Sequence, residues 1–192
     1  MKSNERDMAI RPAQPATSLA ALAGPRGVGT AVAFDWALAA EMIFLAARFA
    51  LGIGSASMPM MLSSSQRTGA TAAVLLAAVP CALAGEGMRR GVRLLRPFQI
   101  AGNALLTVYG IVQLPGAIGD VRAGHLSAIA RTLALLVASP LIVWLLSRPQ
   151  TRDWFAQATS AQSRARHGGR WVAAILIWAV IGGAAIAFDG LY

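Results

Sequence analysis

Lysine and cysteine are almost missing from this 192-residue chain. Lys2 is the one lysine among seventeen basic residues, and Cys81 is the one cysteine. A single cysteine excludes an intrachain disulfide and a cysteine-based metal cluster. Without a second lysine there is no Gly-rich phosphate loop closing on Lys-Ser/Thr. Two histidines, His125 and His167, stand far apart in sequence, and neither belongs to a His-x-x-His or His-Glu-x-x-His pattern. Zinc chemistry would want such spacing. Ser63–Ser65 and His125 fall in separate polar connections, and serine-rich connections are routine, so no catalytic pairing is expected. No catalytic residue, cofactor or metal is therefore assigned. Acids are scarce too: eight Asp and Glu, with all charged residues at 13%. Soluble domains carry about 25%.

Residues 1–29 are expected to be a disordered cytoplasmic tail and not a cleaved leader. Glu5 and Asp7 interrupt what should be a basic start. The apolar run Leu19–Ala23 is short and flanked by Pro15 and Pro25.

Apolar runs fill the remainder. Hydrophobic residues make up 56% of the chain. Five stretches of bilayer length are read at about 30–55, 68–85, 98–118, 126–146 and 171–188. Lipid offers no partner to a free backbone amide or carbonyl, so all five should be helices. They are continuous and do not alternate, which disfavours a β-barrel. The expected fold is an all-α polytopic transmembrane bundle of about five spans, over residues 30–192.

The basic residues orient it. The tail has Lys2, Arg6, Arg11 and Arg26. Connection 86–97 has Arg89, Arg90, Arg93 and Arg96. Connection 148–170 has Arg148, Arg152, Arg164, Arg166 and Arg170. Only Arg67 and Arg122 lie in the opposite connections, giving thirteen against two. By the positive-inside rule the N-terminus is cytoplasmic and Tyr192 is outside. The same rule accounts for the net charge of +9 without nucleic acid. Trp36, Trp144 and Trp171 fall near predicted cytoplasmic ends, where indoles favour the headgroup level.

Connection 147–170 is the longest internal one. Thr151–Arg166 has helix-compatible composition, with Trp154, Ala158, Ala161 and Ala165 on one face. It reads as a short amphipathic helix lying on the membrane surface. The pattern Leu146-Ser147-Arg148-Pro149…Arg152-Asp153-Trp154-Phe155 is similar to segments that end the last long helix of many bacterial membrane proteins. That resemblance covers about ten residues and implies a bacterial setting without an activity.

Ionisable residues at membrane depth are costly and so are candidates for function. Span one holds Asp35, Glu41 and Arg48. Asp35, near the cytoplasmic boundary, is expected to be hydrated. Glu41 and Arg48 share a face, but about 10 Å of helix rise separates them, so each is expected to find a partner on another helix or to snorkel. Arg131 in span four is placed at the depth of Arg48, where two arginines could grip one anion. Span three carries a polar stripe of Gln99, Asn103, Thr107 and Gln113 with Gly102 and Gly110. It should face into the bundle or a partner subunit. Pro80 and Pro140 interrupt spans two and four.

The expected function is that of a non-enzymatic structural or accessory subunit in the bacterial inner membrane. It would assemble with itself or with other membrane proteins through spans two and three, with Arg89, Arg90, Arg93 and Arg96 on anionic lipid headgroups. The alternative is a transporter or channel-like protein lined by Glu41, Arg48, Asn103 and Arg131. Topology is checked by cysteine labelling against the native Cys81 baseline. Ser64→Cys should react with an impermeant maleimide from outside intact cells, and Gln162→Cys only after permeabilisation. The reverse pattern would invert the orientation.

Overall fold

The computed structural model describes residues 25–53, 62–122 and 127–187. Of the expected tail, residues 1–24 lie outside this set, as does His125. The described residues form seven helices: α1 (Arg26–Leu51), α2 (Ser64–Arg89), α3 (Leu95–Arg122), α4 (Ser127–Ser147), α5 (Pro149–Gln157), α6 (Ser160–Arg166) and α7 (Arg170–Ala187). Helices α1, α2, α3 and α7 are long and apolar enough to cross a bilayer, and Arg131–Ser147 joins α5 in a pair bent by 65°. The five expected spans are thus α1, α2, α3, α4 and α7.

Capping explains where the observed bounds depart from the apolar runs. Span one was expected to reach Ser55, but α1 stops at Leu51 because Gly52 takes a left-handed conformation (φ 70°) and turns its amide back onto the last carbonyls. Helix α2 starts four residues before its apolar run. The Ser63 hydroxyl accepts from the Gln66 amide while the Gln66 side chain accepts from the Ser63 amide. Polar capping residues extend a helix without adding hydropathy. Pro80 and Pro140 sit inside continuous helices, as does Pro115 in α3.

Helix α1 is the hub. It packs most extensively on α2 and α7 and also meets α4, while α3 packs mainly on α4. Close approaches fix the directions. A Cβ on Gly27 would lie 2.6 Å from the Leu145 Cβ, and one on Gly29 would lie 3.4 Å from the Trp171 ring. One on Gly85 would meet Trp36 at 2.5 Å. Helices α1 and α7 therefore run parallel, with α2 and α4 antiparallel to them. The arginine-rich ends gather on one side.

That side holds the apolar core: Val28, Ala31, Val32, Met88, Ile142, Leu146, Trp154 and Phe155. Trp154 and Phe155 correct the reading of residues 151–166. They are 7% and 2% exposed and pack edge-to-face at 4.8 Å, so these two aromatics turn into the protein and not onto lipid, while Ala161 and Ala165 are exposed. Nor is the segment one helix. Ala158 is extended, and Thr159 starts α6 with its own capping box to Gln162. Elsewhere the large apolar side chains face outward. Leu76, Leu105 and Trp178 are each 72% exposed, as a lipid-facing surface requires.

Helices α1 and α7 meet through small residues. Ala179, Gly183 and Ala187 recur every fourth residue and are all buried. A Cβ on Gly183 would stand 2.6 Å from the Glu41 amide nitrogen and 2.8 Å from the Ala37 carbonyl. Backbone cannot yield as a side chain can. Gly183→Ala should therefore cost about 1–3 kcal/mol, read as a lower unfolding temperature in detergent. Gly182→Ala, with open space at its Cβ, should be neutral or mildly stabilising.

Candidate functional site

Asp35, Glu41 and Arg48 of α1 each engage a different helix. Asp35 is 6% exposed, beside Gly85 of α2, and accepts from the Gln99 amide of α3 at 2.6 Å. It is buried, not hydrated as its boundary position suggested. Glu41 pairs with Arg131 of α4. The Arg48 guanidinium donates to the Ala187 carbonyl at the end of α7.

Register explains the Glu41–Arg131 pair. Glu41 lies fourteen residues after Gly27, and Arg131 fourteen before its antiparallel neighbour Leu145. Both are about 21 Å along their helices from that shared level. Arg131 is therefore level with Glu41 and not with Arg48, and the two arginines do not form an anion clamp.

The polar stripe of α3 divides. Gln99 and Asn103 are buried, and Gly110 packs against Leu135 and Leu136 of α4. The Asn103 amide donates to the side-chain and backbone oxygens of Gln99, both at 2.9 Å. The Thr107 hydroxyl returns to the Asn103 carbonyl at 2.8 Å. Gln113 leaves the stripe: it is exposed and donates to the Tyr109 hydroxyl at 2.6 Å. A Cβ on Gly102 would touch nothing.

At the arginine-rich end, three of the four arginines of connection 86–97 reach helix C-termini. An α-helix leaves its last four carbonyls without internal donors. Arg96 donates to Leu146 at the end of α4, at 2.9 Å. Arg93 donates to Phe155, at 3.0 Å, and to Ala156, near the end of α5. Arg89 donates to His167, the residue that closes α6, at 3.0 Å. It also grips Glu86 through two bonds of 2.6 Å. Arg90 is half-exposed and bonds Glu86 alone. Sequence position suggested lipid headgroups for this group; the geometry gives Arg89, Arg93 and Arg96 carbonyl partners within the chain.

His167, buried between Trp154 and Trp171, meets the first edge-on at a centroid distance of 5.8 Å and the second at a tilt at 4.7 Å. Gly91, with φ of 73°, lets the α2–α3 turn pass against Ser163 and Trp154. On the outer face of this end, the Arg148 guanidinium lies 3.7 Å over the Trp144 ring.

Asp35 and the Ala179–Gly183–Ala187 triad carry more of the packing than their sequence context suggested. Small residues four apart in an apolar run were the available signal for the triad. Asp35 had only its charge. Among the described residues no group of three His, Cys, Asp or Glu is placed to hold a metal ion. Comparison with known family models, curated proteins and solved structures finds no match to this chain.

The arginine caps should show in stability. Arg93→Ala leaves carbonyls near the end of α5 without their charged donor and should cost about 1.5–3 kcal/mol. Arg90→Ala, which removes one half-exposed ion pair, should cost under about 1 kcal/mol. Thermal unfolding in lipid nanodiscs compares the two. Equal losses would contradict the capping role.

Proposed function

We infer that this chain is a non-enzymatic subunit of a membrane assembly, set in a bacterial inner membrane with its N-terminus in the cytoplasm. The reading starts from how the polar groups are used. Asp35, Glu41 and Arg48 are each engaged by a neighbouring helix of the same chain. The polar face of α3 turns inward for Gln99 and Asn103. The outward faces of α2 and α7 are largely apolar or small.

The observation that carries the proposal is on α2. Gly69, Ala73 and Ala77 recur every fourth residue on its exposed face, and a Cβ on Gly69 would touch nothing. In lipid, apolar burial does not drive helices together. Small residues do so by letting backbones approach. The α1–α7 contact uses this spacing inside the chain. The α2 stripe offers the same spacing to a second copy or to another membrane subunit. Arg90 and the exposed arginines Arg148, Arg152, Arg164 and Arg170 supply a rim for anionic lipid headgroups.

The transport alternative draws less support. Glu41 and Arg131 offset each other's charge, and Asn103 belongs to the separate Asp35 chain. Assembly is tested by the mass of the protein after mild solubilisation. Wild-type particles should exceed the 20.0 kDa of one chain, net of detergent. Ala73→Leu with Ala77→Leu should reduce them towards the single-chain mass while leaving the unfolding temperature within a few degrees. A monomeric wild type in both mild detergent and lipid nanodiscs would overturn the reading.

A further inference from the structure

One buried group has no role in assembly. The Asp35 carboxylate accepts a single side-chain donor, Gln99 Nε2. Gln99 Oε1 in turn accepts from Asn103 Nδ2. The chain ends on Asn103 Oδ1, which is buried and has no hydrogen-bond partner among the described residues. Asn103 is 2% exposed. Ser139 of α4 is fully buried, and its hydroxyl also has no partner. Arg96 meets Leu146 across the antiparallel α3–α4 pair. Asn103 lies seven residues before Gly110 and Ser139 four after Leu135, which Gly110 meets, so the two stand within one helical turn of the same level. An orphaned buried acceptor costs about 1–3 kcal/mol, and this one stands at the end of a chain that begins on a carboxylate.

We propose that Asp35, Gln99 and Asn103 form a proton-binding site within the membrane, in which uptake of one proton by Asp35 reverses the hydrogen-bond chain. An ionised carboxylate only accepts, whereas a protonated one also donates. Each amide presents an oxygen and a nitrogen in nearly equivalent places, and a half-turn exchanges them. In the ionised state the donors point from Asn103 through Gln99 to Asp35, as observed. When hydronium gives a proton to Asp35, one of its O–H bonds breaks, an O–H bond forms on the carboxylate, water leaves and the site loses its negative charge. Asp35 then donates to Gln99 Oε1, Gln99 Nε2 donates to Asn103 Oδ1, and the orphan acceptor gains its partner. Asn103 Nδ2 turns to the level of the unpartnered Ser139 hydroxyl oxygen.

Few other charges compete there. On α2, Cys81 stands one helical turn before Gly85, the neighbour of Asp35, and Glu86 is held by Arg89 and Arg90. On α3, Arg96 is bound to the Leu146 carbonyl. On α1, Glu41 turns to Arg131. Between Arg131 and Arg148 on α4, and after Arg170 on α7, the spans carry no ionisable residue. The site does not depend on the assembly reading, and either can fail without the other.

The test is pH-difference infrared spectroscopy of the full chain in lipid vesicles. A carboxylic acid C=O band should appear on acidification and move when aspartate alone is labelled with carbon-13. It should vanish in Asp35→Asn and persist in Glu41→Gln. Asn103→Leu removes the acceptor that Gln99 Nε2 gains on protonation, and with it the orphan cost that protonation relieves, so the band's midpoint should fall by about one pH unit. The label alone does not separate Asp35 from Asp7, Asp120, Asp153 and Asp189, so a chain with those four replaced by asparagine keeps the assignment should Asp35→Asn misfold. Absence of an aspartic band, its persistence in Asp35→Asn, or an unmoved midpoint in Asn103→Leu would overturn the proposal.

Discussion

Helix ends are the difficulty this fold has to solve, and arginine is its answer. The seven helices of the described residues create many C-termini, each with carbonyls that lack internal donors. Four of these ends receive a guanidinium from elsewhere in the sequence: α4 from Arg96, α5 from Arg93, α6 from Arg89 and α7 from Arg48. Each places positive charge where the helix dipole is negative. Three of the four arginines come from one short turn and its flanks, residues 89–96. That turn therefore holds the ends of α4, α5 and α6 in one place, and the apolar core of Met88, Ile142, Leu146, Trp154 and Phe155 closes beneath it.

This role gives physical content to the choice of arginine over lysine. A guanidinium carries five donors in a rigid fork, whereas an ammonium is a compact, strongly hydrated charge. Arg93 serves two successive carbonyls, and Arg89 serves Glu86 and His167 together. A lysine could not span either pair in fixed geometry. The residues that orient a span by the positive-inside rule are here also structural parts.

The five helical spans were legible because continuous apolar runs have few other uses. The inward turn of Gln99 and Asn103 was legible from their shared stripe. Other features were not. Hydropathy puts Arg131 level with Arg48, because it counts from loop boundaries. The Gly27–Leu145 approach sets the true register and brings Arg131 to Glu41. Asp35 lies near a boundary by count but beneath Trp36 and Gly85 in space. Trp154 and Phe155 follow Pro149 in an arginine-rich segment, a pattern shared by surface helices and by segments folded back under a bundle. Only the tertiary partners separate those cases.

The placement of charge in α1 follows from how the helices divide. Helices α2 and α7 pack broadly on α1, and α3 packs broadly on α4, but the two groups meet through fewer contacts. Between them run the Asp35–Gln99 bond near the arginine-rich side and the Glu41–Arg131 pair deeper in. Lipid is as apolar as leucine, so greasy surfaces give one group little reason to prefer a particular height on the other. Two polar ties at different depths remove that freedom, since a slide of one helical turn would leave a carboxylate and a guanidinium unpartnered in hydrocarbon. Removing one member of a desolvated pair is costlier than never having had it. The polar groups thus set register between the two groups, and small residues set distance within the larger one. Neither task can be left to hydrophobic burial once water is gone.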